Sequence, residues 1–278
     1  MEKETNSQTN SIPKITKIST QKRKGRYNVF LDDEYAFPVG EGVLIRHALH
    51  KGMEIPADLQ KQLEEEDVYT KAYNRALSYL SYQLRSQKEI TDDLIKHEFT
   101  METAQEVIEK LAEMKYVDDL EYAKSYTRTV ANLNGKGPYV IRQELKKRGI
   151  KEEWIEEALE EYPMEQRIDN GIELAKKVLR RTKNNSTRET QNKVRQNLSQ
   201  KGFNGDEITE ILNEIEIKKD DEEEYNALVK QGDKLWRKQS KLTGKKKRQK
   251  VKSGLYQKGY PGELINRYMT EKEMDEEE

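Results

Sequence analysis

Cysteine is absent from the 278 residues, which excludes disulfides, thiolate metal sites and cysteine nucleophiles. Its absence fits a reducing cytoplasm, the expected location. Apolar residues are scarce at 33%, while charged residues reach 37%, against roughly 45–50% and 25% in ordinary globular domains. A thick core is therefore excluded, and thin, solvated helical structure is favoured. No run of about 18 apolar residues exists, so no transmembrane helix and no membrane partner are expected. An excess of one charge is missing too: 51 Lys+Arg face 52 Asp+Glu, for a formal net charge of −1. Any surface that attracts nucleic acid must be local. Residues 1–11 are polar and lack an apolar core, so a disordered tail is expected there and no signal peptide.

What is present begins with β character over 12–57. Ile15 and Ile18 precede a polar turn around Gly25. Tyr27, Val29 and Leu31 alternate, Asp32 and Asp33 mark a second turn, and Tyr35 to Phe37 form a third short strand closed by Pro38. Such a small sheet must pack on neighbouring helices. Val43 to Leu49 is a candidate short helix.

Beyond Asp58 the pattern becomes helical and repeats. Counting back from Gly149, Gly202 and Gly259, with Glu98 in the equivalent place, positions −8 and −4 are apolar: Ile90/Leu94, Ile141/Leu145, Val194/Leu198 and Val251/Leu255. Positions +6, +9 and +10 form a second stripe, as in Ile155, Ala158 and Leu159. The reference positions lie about 51, 53 and 57 residues apart, the mark of a helical repeat array. The glycines suit a left-handed residue that ends a helix. Ser86 with Glu89 and Asn204 with Glu207 read as caps, Asp118 with Glu121 as an acidic equivalent, and Pro138 as a first helical residue. A further helix precedes each pair, over 72–84, 120–131, 172–179 and 228–236. The expected fold is mainly α: an elongated, curved array of tandem three-helix, helix-turn-helix-like repeats with a small N-terminal β-rich cap. The expected divisions are a tail at 1–11, the cap at 12–57, repeats at 58–117, 118–164, 165–219 and 220–270, and an acidic tail at 271–278. Hinges are expected at 132–137, 182–187 and 218–224, where few apolar side chains cross.

Catalytic chemistry finds no support. Gly135-Lys136-Gly137 lacks the spacing of a phosphate loop and follows a helix. His47 and His50 are three apart, yet no third ligand pattern accompanies them. Carboxylate runs such as 64–67 and 220–224 read as solvated faces. Neither an enzyme nor a cofactor is expected. The positive signal is cationic. Residues 234–258 hold eleven Lys or Arg and no acid, among them Lys245, Lys246, Lys247, Arg248, Lys252 and Lys258, with Trp236 nearby. A second cluster is Arg142, Lys146, Lys147 and Arg148, beside Lys136 and Tyr139. Arg195 and Lys252 fall at the repeat position of Arg142, and Lys201 and Lys258 at that of Arg148. The expectation is a cationic stripe that meets an acidic or phosphate-bearing partner. Tyr79, Tyr82, Tyr122, Tyr126 and Tyr139 gather near the repeat joins as amphipathic core edges, and Trp154 reads as packing.

Ala76 to Leu80 with Arg85, Ser86, Glu89 and Ile90, then Tyr122, Ala123 and Tyr126, resemble the bacterial RecX family. These are regulatory proteins that modulate the RecA recombinase. The likeness is clearest at Gly135 to Pro138, Ile141 to Leu145 and Arg148 to Ile150. The β cap and fourth unit resemble the longer form found in Gram-positive relatives. The resemblance implies a non-enzymatic regulator in DNA repair, homologous recombination and the SOS response, and a monomer is expected. Its partner would be the RecA filament, with single-stranded DNA contacted weakly or indirectly. The implied effect is inhibition of ATPase, strand-exchange and coprotease activities. Two other readings of the residues stand beside it: a helix-turn-helix-like DNA-binding regulator and a helical-repeat interaction scaffold.

Overall fold

The computed structural model describes residues 12–277, so the tail expected at 1–11 lies outside the described residues. The chain divides into two compact units at Asp119/Leu120.

In the first unit, β1 (Ile15–Thr20), β2 (Arg26–Leu31) and β3 (Glu34–Gly40) form an antiparallel sheet in that order. Asp32 and Asp33, both at positive φ, make the two-residue turn between β2 and β3. Ile15, Val29, Leu31, Phe37 and Val39 are buried with Val43 of α1 (Glu41–Arg46), Leu49, Ile55 and Leu63. Pro38 does not end the third strand. It lies inside β3 opposite Asn28, tolerated because β3 is an edge and the missing N–H costs no ladder bond.

Leu63 belongs to α2 (Ala57–Leu80), which runs on into the first repeat and buries Ala72 and Ala76 there. The helix thus starts 15 residues before the expected 72 and ends short of 84. Its first half is rich in Gln, Glu and Lys, and only Leu63 and Asp67 are fully buried there, with Leu59 packed at the core's edge, so apolar periodicity understates it. α3 (Gln87–Lys96) opens with the Ser86/Glu89 capping box, and α4 (Met101–Glu113) follows. Glu98 occupies the left-handed region at φ 67, the conformation that glycine takes in the other repeats.

The second unit repeats this plan three times. The helices are α5 (Asp119–Asn134), α6 (Pro138–Lys147) and α7 (Glu152–Leu159); α8 (Met164–Arg181), α9 (Thr187–Lys201) and α10 (Gly205–Ile215); α11 (Asp221–Lys238), α12 (Gly244–Gln257) and α13 (Gly262–Glu277). Each triplet closes on its own core, and Ile141/Leu145, Val194/Leu198 and Val251/Leu255 are fully buried. Gly149, Gly202 and Gly259 sit at φ 80, 92 and 81, at the ends of α6, α9 and α12 as their spacing predicts. α8 and α11 begin about seven residues before the expected 172 and 228. Their first turns are polar and start from Pro163 and Asp220, which apolar patterning does not see. The segment 271–278, read as a tail, continues α13 to Glu277. Ion pairs hold that extension: Arg248 with Glu273 at 2.8 Å and Lys272 with Asp233 at 3.3 Å.

Successive repeats of this unit join end to end. At the start of α6, the N–H groups of Gly137 and Tyr139 donate to the carbonyls of Lys201 and Gly202 at 2.7 and 3.1 Å. At the start of α9, the Ser186 hydroxyl donates to the Lys258 carbonyl, and the Thr187 N–H to the Glu224 carboxylate at 3.0 Å. Helix N-termini lack acceptors and C-termini lack donors; at the first joint the two backbone ends satisfy each other directly, and at the second the Ser186 hydroxyl and the Glu224 carboxylate do so. The segments expected as hinges are where these bonds fall. Lys219 Nζ, for instance, reaches the carbonyls of Lys183 and Asn185 at 2.8 and 2.6 Å. Few apolar groups cross there, but hydrogen bonds do.

Candidate partner-binding surface

α6 starts at Gly137-Pro138, and with Ile141 and Leu145 turned inward, Arg142 and Lys146 share an outer face one turn apart. α7 begins with its own pair one turn apart, Glu152 and Glu156. The two pairs meet. The Arg142 guanidinium bonds both carboxylates, and Lys146 Nζ lies 2.8 Å from Glu152. Hydrogen bonding to Glu156, opposed by burial and helped by Glu152, raises the Arg142 pKa. The bonds from Lys146 and Arg142 lower that of Glu152.

Glu144 gathers the other polar groups of this repeat. Lys136 Nζ lies 2.6 Å from it, and the Tyr126 hydroxyl donates to it at 2.5 Å. Burial works to raise the Glu144 pKa, but the bonds from Lys136 and Tyr126 outweigh it, and the pKa falls below its ordinary value. Burial, with the bond to Glu144, pushes the Tyr126 hydroxyl upward. Arg148 lies over the Tyr126 ring at 4.6 Å and donates to the Glu144 carbonyl at 2.9 Å. Four of the six expected cations and aromatics here therefore hold the repeat together, while Lys147 and Tyr139 (63% exposed) face solvent. Sequence reading missed Glu144, Glu152 and Glu156 as their partners. The available signal was the matching one-turn spacing of Arg142/Lys146 and Glu152/Glu156.

In the third repeat, Arg195 is exposed on α9 without an ion pair among the described residues. The Lys201 side chain is half-buried beside the joint to Gly137. α12 differs from both. It holds six cations and no carboxylate. Lys247 lies over the Trp236 ring at 4.2 Å, Arg248 pairs with Glu273, and Lys252 and Lys258 are half-buried. Lys245, Lys246 and Lys250 are exposed, and none has an ion-pair partner among the described residues. Of the site cations expected from the sequence, those left exposed and without an ion pair among the described residues are therefore Lys147, Arg195 and the α12 set of Lys245 and Lys246, with Lys250 beside them, rather than an even stripe. Trp154 packs against the second repeat's core with Lys151 over its ring.

His47 bonds Glu66 at 2.6 Å, and His50 bonds the Ala48 carbonyl. Among the described residues, no cluster of His, Asp and Glu is placed to hold a metal ion. No described helix is long and apolar enough to cross a membrane.

Family models match nearly every part of this architecture. The RecX N-terminal domain covers 13–56, and the first, second and third RecX three-helix domains cover 72–111, 118–159 and, twice, 165–212 and 221–269. Regulatory protein RecX of Levilactobacillus brevis is 42% identical over 92% of this chain and 97% of its own. That of Bacillus subtilis is 38% identical over 94% and 100%. A crystal structure of regulatory protein RecX, 40% identical, superposes with a TM-score of 0.61 over 74% of this chain and all of its own. RecX from Lactobacillus salivarius, also 40% identical, gives 0.52 over 55% of this chain and 99% of its own. Domain by domain and along nearly its whole length, the chain belongs to the RecX family of regulatory proteins.

Proposed function

We propose that this chain is a non-enzymatic regulator that binds the RecA recombinase filament on single-stranded DNA and inhibits its ATPase, strand-exchange and coprotease activities in the cytoplasm. Family membership supports the regulatory role. The observation that carries a partner surface is the set of unpaired cations Lys245, Lys246 and Lys250 on α12, which suits an acidic or phosphate-bearing partner. A filament repeats one protomer surface, and tandem repeats of like fold can add weak contacts along it into avidity.

The test is single-stranded-DNA-dependent ATP hydrolysis by the recombinase with increasing amounts of this protein, beside DNA binding by the protein alone at two salt concentrations. Strong inhibition with weak intrinsic affinity supports the proposal. Tight, sequence-selective duplex binding would instead indicate a helix-turn-helix reader, and no effect in either assay would indicate a scaffold.

A further inference from the structure

The first unit carries a cationic feature that the filament reading does not use. The β1–β2 turn contains Lys22, Arg23 and Lys24 before Gly25, and Arg26 opens β2 directly after it. Gly25 takes φ 72, and its carbonyl accepts the Glu41 N–H at 2.9 Å. The turn borders a cleft of about 710 Å³, lined also by α2 and the end of α3, a volume within the range of ligand sites. Arg23, Lys24, Arg26, Lys71, Arg75 and His97 line it, against Glu41 and Asp67.

The charges divide into two layers. Asp67 is 2% exposed and fully engaged. Arg26 grips both its oxygens at 2.5 and 2.9 Å, and the Gly40 N–H and Lys71 Nζ each approach to 2.8 Å. Arg75 is held by both oxygens of Asp93 at 2.8 Å. These pairs fix the inner lining. Arg23 and Lys24 are exposed and have no carboxylate partner among the described residues, so the cleft keeps an excess of positive charge. Phe99, half-buried, adds an aromatic surface to the same cleft.

We propose that this cleft binds the backbone of single-stranded nucleic acid, with Arg23 and Lys24 on phosphates and Phe99 beneath a base. Lysine and arginine neutralise phosphates without reading sequence, and an aromatic ring stacks on any unpaired base. A duplex keeps its bases stacked inside and offers none to Phe99. An acidic peptide is disfavoured because the forked donors of Arg26 and Arg75 are already taken by Asp67 and Asp93.

The experiment is fluorescence anisotropy of a labelled oligothymidine with the full-length protein and no recombinase, so its failure leaves the filament reading intact. The double change Arg23→Glu/Lys24→Glu should weaken binding roughly tenfold or more and flatten the log–log salt slope by about 0.7 per lost phosphate contact. Phe99→Leu, which keeps apolar packing, should weaken it roughly fivefold or more. The control Arg180→Glu/Arg181→Glu makes the same charge change on exposed residues of α8 and should leave affinity nearly unchanged. If misfolding is seen by circular dichroism, Arg23→Gln/Lys24→Gln replaces the reversal. Equal losses in the two double variants would overturn the proposal by showing general electrostatics. Competition by duplex, polyglutamate or pyrophosphate as effective as by unlabelled oligothymidine would overturn it by assigning the cleft to another ligand.

Discussion

The backbone N–H of Gly137 donates to the carbonyl of Lys201 at 2.7 Å, so α6 begins where α9 ends with no side chain between them. A Cβ at Gly137 would lie 2.3 Å from the Gly202 carbonyl carbon and 2.4 Å from its oxygen. These are backbone atoms, which cannot rotate away. Gly137→Ala should therefore destabilise the second unit by about 1–3 kcal/mol through overpacking. Gly205→Ala, at a helix start with open space around it, should be neutral or gain about 0.4–1 kcal/mol. Urea unfolding of both variants checks the contrast, and equal midpoints would contradict it.

Leu145, Leu198 and Leu255 are each fully buried in a separate repeat core. Each change to alanine should cost about 2–5 kcal/mol. Repeat arrays couple mainly between neighbours, so hydrogen exchange should quicken most in the altered repeat. Uniform loss of protection along the chain would indicate one shared cooperative core.

Glu98 holds a left-handed conformation at φ 67 that costs an L-residue roughly 1–2 kcal/mol. Glu98→Gly removes that strain but adds freedom to the unfolded chain, worth about 0.5–1 kcal/mol. The expected net gain is about 0.5–1 kcal/mol, read as a higher midpoint for the first unit. A loss would mean that the Glu98 side chain stabilises the turn.

Asp67 sets an acid dependence for the first unit. Burial tends to raise its pKa, but the bonds from Arg26, Lys71 and Gly40 prevail, and it lies below the ordinary carboxylate value. As pH falls, the unfolded chain takes up the proton first, so stability present above about pH 4 declines as pH drops through the lower, folded-state pKa. Thermal unfolding between neutral and acid pH should show a shallower acid decline in Asp67→Asn than in wild type. Asp67→Ala, which strands Arg26, should cost about 3–5 kcal/mol at neutral pH.

For the filament surface, Lys245→Glu/Lys246→Glu/Lys250→Glu should weaken inhibition of recombinase ATPase roughly tenfold or more, because these charges are unpaired and exposed. Arg142→Gln should weaken inhibition less and lower stability more, since Arg142 bridges Glu152 and Glu156. The reverse ranking would move the contact to the second repeat.

Local signals were readable from residues alone. The Ile141/Leu145 stripe and its counterparts, the left-handed glycines and the caps at Ser86 and Asn204 depend on neighbours within a few positions, and the structure has them as the spacing predicts. What escaped depends on chain that folds back. The first half of α2 is held by Leu63 against a sheet far away in sequence. Arg142 meets Glu156 only because the turn at Gly149 brings α7 alongside α6. Arg23 and His97 line one cleft from more than seventy positions apart, and no periodicity announces that.

The end-to-end joints also give synthesis a direction. Ser186 must wait for Lys258, 72 residues later, and Gly137 for Lys201. As the chain leaves the ribosome, the newest repeat of the second unit stays unfinished at one end until its successor emerges, and domains in general fold as units from the N-terminus onward. A translational pause before Lys258 emerges would leave the Ser186 hydroxyl with its local bond to the Glu189 N–H but without its acceptor in the next repeat, so the start of α9 would be the place where a nascent chain frays and where a protease would find a truncated product.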